Sequence, residues 1–233
     1  MPVISFSTPK GGVGKSTAAM LLGQALAHRG AKTFIVDTDK NHSIAGWSAR
    51  GGSMPNLQIK ATQDAEEVVD IIEAEREQNA FTIVDVEGIK SMLMSNVIIC
   101  SDFVIMPMRE TFLDAKAAKD AAKLTLSQRK VARRDIPFRL LLSQTGAIKS
   151  REQKDIIKEV RDSGLPMFKT ELALRTGSFA AIFSHTDSLF SLDPKEIRGL
   201  KSAQDNAMAF ADEVIAWARQ VRAAEAGDNR NAA

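Results

Sequence analysis

The sequence predicts an α/β fold, a mostly parallel twisted sheet flanked by helices on both faces. Three observations carry that expectation. Short apolar runs alternate with longer helical stretches along most of the chain, the pattern of right-handed βαβ crossovers. The runs are nearly continuous in apolar residues, as strands buried on both faces are. A glycine-rich turn carrying two lysines joins the first run to the first helical stretch.

Taken in order, residues 3–7, 32–37, 57–60, 81–85, 103–108 and 138–143 read as strands. Residues 16–29, 65–79, 112–134 and 151–163 between them read as helices by length and composition. Gly164-Leu165-Pro166 ends a helix and leads into a further strand expected near residues 167–170. The last helix is expected over about residues 203–224, with Ala207, Phe210, Val214, Trp217 and Val221 on one stripe that packs on the sheet. One domain over residues 1–226 and a polar, frayed tail over residues 227–233 complete the expectation.

Bulk properties narrow the class. Apolar residues at 44% and charged residues at 26% support a sizeable core and exclude a disordered chain. The charge excess of +2 is too small to imply a polyanion partner, so any nucleic-acid surface has to come from local clustering. A single cysteine, Cys100, excludes an intramolecular disulfide and fits a cytoplasmic compartment. The phosphate-loop pattern starts too early for a signal peptide, and no apolar run reaches the roughly 18 residues a membrane span needs. His28, His42 and His185 are too widely spaced for a metal site.

The chemistry is concentrated at Lys10-Gly11-Gly12-Val13-Gly14-Lys15-Ser16-Thr17. It lies between strand and helix, where backbone N–H groups and a helix N-terminus face anionic oxygens. The glycines let the backbone curl around phosphates without a Cβ in the way. Lys15 would contact β- and γ-phosphates and would face solvent in an empty loop, while the Ser16 hydroxyl would ligate Mg²⁺. Pro9 stands where the standard pattern has its first glycine, and Lys10 opens the loop instead. Two aspartates, Asp39 and Asp85, fall at the ends of strands, on the edge where parallel sheets bind ligands.

This loop resembles the deviant Walker A motif of the ParA/MinD ATPases, and the resemblance runs through nearly the whole chain. It implies a P-loop NTPase with ATP and Mg²⁺ as cofactors, hydrolysing ATP slowly until a partner stimulates it. Gly11, Gly12, Val13, Gly14, Lys15, Ser16 and Thr17 would hold the phosphates, and Gln144 would contact adenine. Ser16, Asp39 and Asp85 would surround the metal, with Asp39 positioning the attacking water and Gly88 opening a γ-phosphate switch. Lys10, Lys15 and Asp39 are the catalytic group, and Lys10 would reach the partner's nucleotide in a homodimer with ATP sandwiched between subunits. Lys40-Asn41 after Asp39 and Val86-Glu87-Gly88 after Asp85 depart from the family's usual residues. Asp39, Asn41 and Trp47 look closest to short ParA-like proteins that include one acting on transferred plasmid DNA in virulence systems.

Absences select the branch. The polar end of the last helix lacks the basic–apolar face of a membrane-binding helix, one cysteine cannot supply an iron–sulfur site, and a tyrosine autokinase needs tyrosines that this chain lacks. The resemblance then implies a partition-type ATPase that binds DNA non-specifically, is nucleoid-associated, and answers to a ParB-like or cargo adaptor protein, with no membrane partner. Lys149, Arg151, Arg175, Arg198 and Lys201 are the expected DNA contacts. Lys116, Lys119, Lys123, Lys130 and Arg134 share one helical face that reads either as a solvated surface or as a phosphate-tracking one. Two alternatives stay open: an accessory ATPase binding a specific site in plasmid DNA transfer, and a MinD-like membrane-positioning ATPase.

Overall fold

The computed structural model describes residues 1–88, 91–175 and 177–231, the last five of them by backbone alone. The strands are β1 (Val3–Phe6), β2 (Thr33–Asp37), β3 (Leu57–Ala61), β4 (Phe81–Asp85), β5 (Phe103–Met108), β6 (Phe138–Thr145) and β7 (Leu172–Ala173). The helices are α1 (Lys15–His28), α2 (Ser43–Ala49), α3 (Glu67–Gln78), α4 (Met92–Cys100), α5 (Phe112–Ala132), α6 (Arg151–Asp162), α7 (Ser178–Ser184) and α8 (Leu200–Asn231). The strands form one sheet in the order β3-β2-β4-β1-β5-β6-β7, with every pairing parallel.

Period-two alternation in the strands builds two cores. Ile4, Ile35, Ile83, Ile105 and Leu141 face α1, α2, α7 and α8, whereas Val3, Val36, Val84, Val104 and Leu140 face α3 to α6. Helix α1 is buried nearly all round because it lies between the sheet and α8, which its apolar residues from Ala18 to Ala27 permit. At Gly23 it packs closely on β2: a Cβ there would stand 2.6 Å from the Ile35 Cδ1. The expected α8 stripe does pack on this side, with Phe210 edge-on to Phe6 and Phe168 at 6.4 and 5.5 Å between ring centroids. Phe210→Ala is expected to cost about 3–5 kcal/mol, because the fully buried ring leaves a cavity that the flanking strands cannot close. Urea unfolding midpoints at unchanged slope would measure it, and a cost below about 1 kcal/mol would contradict this packing.

Four expectations need correction. The segment near Met167 forms only an isolated bridge to Leu140, and the seventh strand begins at Leu172. Glu213 on α8 takes the Lys169 and Thr170 N–H groups at 2.8 and 2.7 Å, so these cannot serve a ladder. The second is that α5 ends at Ala132: Arg133 turns left-handed at φ 53°, and the Arg134 guanidinium donates to the carbonyls of Ile99 and Ser101. Arg134 therefore leaves the basic face, and Lys119 on that face is paired with Glu159 at 2.7 Å. The third concerns α2, α4 and α7, which are short helices that the pattern of apolar residues did not announce. Finally, α8 starts earlier and runs further than expected, to Asn231, while residues 232–233 of the expected tail lie outside the described residues.

Candidate nucleotide site

The central strand β1 delivers the loop to the C-terminal edge of the sheet, between β4 and β5. Gly12 and Gly14 take φ values of 74° and 83°, open to glycine at no steric cost, and Gly14 caps α1. The first turn of α1 carries no acidic residue and no side-chain cap, which leaves its N–H groups for an anion. Val13 is the loop's apolar anchor, while Gly11 and Gly12 are exposed. Strand β6 holds the loop from one side: the Ser143 hydroxyl donates to the Val13 carbonyl at 2.7 Å, and the Gln144 amide donates to the Gly12 carbonyl at 3.1 Å.

Lys15 is 5% exposed, against the expectation of a solvent-facing side chain, and its ammonium donates to the Lys10 carbonyl at 3.1 Å. Burial lowers its pKa, opposed by the nearby charges of Asp85, Asp39 and Glu87. The close packing includes Gly88, where a Cβ would stand 2.9 Å from the Lys15 ammonium and 3.1 Å from the Gly11 nitrogen. A side chain at this position would require Lys15 or the loop backbone to shift.

Asp85 ends β4 in register with Asp37 on β2 and Phe6 on β1. Burial pushes its pKa up to about 7; the Ser16 hydroxyl and Lys15 oppose that rise, and the charges of Asp37 and Asp39 add to it. Neither Asp85 carboxylate oxygen has a hydrogen-bond partner of normal geometry among the described residues. Two orphaned buried oxygens beside Ser16 and the phosphate loop suit a hydrated divalent cation. Among the described residues no cluster of three His, Cys, Asp or Glu could hold a metal, so such a cation would need oxygens from phosphates and water.

Asp37 and Asp39 divide their tasks. Asp37 is buried, and its carboxylate accepts N–H bonds from Asp39, Ile44 and Ala45 at 3.1, 3.0 and 2.9 Å, so it starts α2 and shapes the turn after β2. Burial raises its pKa against those bonds. Asp39 is half-buried, and its Oδ1 accepts the Asn41 N–H at 2.9 Å. Glu87, 3.5 Å from Lys40, completes the acidic rim around Lys15.

Next to the loop opens a cavity of about 370 Å³ lined by Gly14, Thr17, Gln144, Leu174, Arg175 and Phe179, among others. Gln144 thus stands beside the loop and on the wall of this cavity. The apolar wall from β7 and α7 escaped the sequence reading; the signal was the apolar run from Phe179 to Phe183 after Arg175. Arg175, expected at DNA, lines this cavity and donates to the Ser202 hydroxyl at 2.9 Å. Lys149 is held by Glu171 and Glu110 at 2.6 and 3.2 Å. Lys201 pairs with Asp205 at 2.7 Å, whereas Arg151 is almost wholly exposed, 4.0 Å from Asp155, and Arg198 is exposed.

Lys10 does not extend outward. Its ammonium is bonded to the buried carboxylate of Asp114, which also accepts from the Arg109 guanidinium at 2.7 Å. Asp114 was invisible to sequence reasoning, because an acidic residue in the first turn of a helix reads as a response to the helix dipole.

The sequence profile of the VirC1 protein family matches residues 1–214. The chain belongs to the VirC1 family. This VirC1-family chain is 33% identical over 212 residues to the protein ParA of Rhizobium radiobacter, covering 91% of this chain and 95% of the relative. It is 28% identical over 123 residues to protein virC1 of the same organism, covering 51% and 53% of the two chains. Among solved structures, an ATP complex of a Cyanothece McdA variant superposes with a TM-score of 0.70 at 13% identity, covering 92% and 96%. That likeness, at this identity, shows the fold. Among the described residues of the VirC1-family chain no helix is long and apolar enough to cross a membrane.

Proposed function

We propose that the chain is an ATP-dependent dimerising ATPase that binds DNA without sequence preference and positions DNA or protein cargo. The observation that carries this reading is the buried Lys15 ammonium set in a phosphate loop beside the orphaned carboxylate of Asp85. Backbone N–H groups from Gly11 to Thr17 would hold the phosphates, Lys15 would neutralise the β- and γ-oxygens, and Gln144 would face the base. Ser16 would ligate Mg²⁺ directly and Asp85 through water; the cation would supply charge neutralisation between the phosphates. Asp39 would orient the attacking water, and Lys10 would reach the partner subunit's nucleotide. A ParB-like or cargo adaptor protein would accelerate the slow hydrolysis and release the DNA, giving nucleoid association. The relatives' names, ParA and McdA, support partition or positioning as the task.

A second reading, an accessory ATPase bound to one DNA site during plasmid transfer, is favoured by the VirC1-family match. Anisotropy of labelled duplexes separates the two. Binding is expected only with ATP, equally on unrelated sequences, and falling steeply with salt, because a dimer doubles the phosphates neutralised. Arg151→Glu with Arg198→Glu is expected to weaken it at least roughly tenfold while ATP affinity holds. Arg175 is not the residue to choose, since it lines the cavity beside the loop. Tight, ATP-independent binding to a single sequence would support the accessory reading instead.

A further inference from the structure

We propose that Asp114 is a positioning residue for Lys10: it parks the loop's first lysine inside its own subunit and is the anion that must release it before two subunits close around ATP. The consequence for dimerisation rests on the function proposed above. The parking itself rests on geometry alone.

Asp114 is the third residue of α5, and the Thr111 hydroxyl caps its N–H at 3.3 Å, so the carboxylate projects from a rigid helix start. Its side chain is fully buried. The two oxygens serve two cations: Oδ1 takes the Lys10 ammonium, and Oδ2 takes both the guanidinium and the backbone N–H of Arg109, at 2.7 and 3.2 Å. Burial opposes the charge on this carboxyl, yet the two cations hold its pKa below the ordinary range. When Lys10 leaves, Arg109 still neutralises the carboxylate, so departure does not strand a buried charge. Lys10 is the releasable partner: it meets the carboxylate only through an ammonium on a flexible stem, whereas Arg109 gives Oδ2 both its guanidinium and its backbone N–H.

A second tether ties release to the subunit's own site. The Lys15 ammonium donates to the Lys10 carbonyl, the same group that phosphates would attract. Phosphates bound in the loop compete for that donor and loosen the residue that has to swing out. One subunit's nucleotide thereby frees the lysine needed by the other's.

Two measurements on the full chain test this. In competitive acetylation read by mass spectrometry, Lys10 should react slower than the exposed Lys116 and Lys123 without nucleotide. Asp114→Asn should raise Lys10 labelling roughly tenfold, the size of one charge-assisted hydrogen bond. Non-hydrolysable ATP analogue should raise it in the parent protein at concentrations too dilute for dimers. Equal Lys10 labelling in parent and Asp114→Asn, or no response of the parent to nucleotide, overturns the parking. In light scattering, the analogue concentration for half-maximal dimerisation should fall roughly tenfold in Asp114→Asn. It should rise in Arg109→Gln, where Lys10 becomes the carboxylate's only cation. Shifts of one sign in both variants overturn the competition, since general loosening would move them together. If Asp114→Asn does not fold, the parent's labelling response and the Arg109→Gln shift decide. A labelling response in a protein that stays monomeric with ATP would sink the dimer reading and leave the parking standing.

Discussion

Lys15→Ala is expected to abolish measurable ATP binding, a loss of at least roughly a hundredfold, because no other side chain in the loop can neutralise the β- and γ-phosphates. Isothermal titration against ATP with Mg²⁺ reads the effect directly. Retained affinity within a factor of three would remove Lys15 from the role. The effect on folding is expected to be small, for a reason the burial of Lys15 supplies. Its ammonium is 5% exposed, and burial alone makes that charge unfavourable. Removing it leaves Asp85, which already sits near a pKa of about 7 and can take up a proton rather than remain an unpaired buried anion. A thermal midpoint within a few degrees of the parent, without nucleotide, is the matching result.

Asp39→Ala should separate binding from chemistry. The residue stands two positions beyond Asp37, which ends β2, and its charge acts on Lys15. Its Oδ1 is committed to the Asn41 N–H, while Oδ2 has no hydrogen-bond partner among the described residues. Under the proposed mechanism, the oxygen left over beside the phosphate loop would orient the attacking water. Turnover is expected to fall by roughly a hundredfold to ten-thousandfold, with ATP affinity and ATP-dependent dimers intact. The variant should then accumulate as dimer in gel filtration with ATP. Unchanged turnover would pass the role to Glu87, the remaining carboxylate on the rim around Lys15. Asp37→Ala should look different: it removes the acceptor for three N–H groups and should destabilise α2 before it touches catalysis.

Much of this site was legible without coordinates. The strand–loop–helix order, the two lysines, the two glycines with positive φ, and the aspartates ending β2 and β4 are local features: each depends on residues within a few positions of one another. The same holds for α1, α3, α5 and α6, whose lengths and composition declared them. What the sequence did not disclose depends on contacts between distant segments. Helix α2 begins where the Asp37 carboxylate caps it from seven and eight residues away. The seventh strand starts late because Glu213, more than forty residues downstream, occupies the N–H groups of Lys169 and Thr170.

The sequence by itself determined the parallel sheet, the phosphate loop and the chemistry that such a loop can hold, because periodicity and glycine placement act over short spans. Tertiary structure alone decided which charges are available. It buried Lys15, orphaned Asp85, engaged Lys149 with two carboxylates and turned Arg134 onto carbonyls. It also set Lys10 on Asp114, 104 positions away. A charge's partner and its desolvation are set by whatever the fold brings within a few ångströms, and no local pattern carries that information.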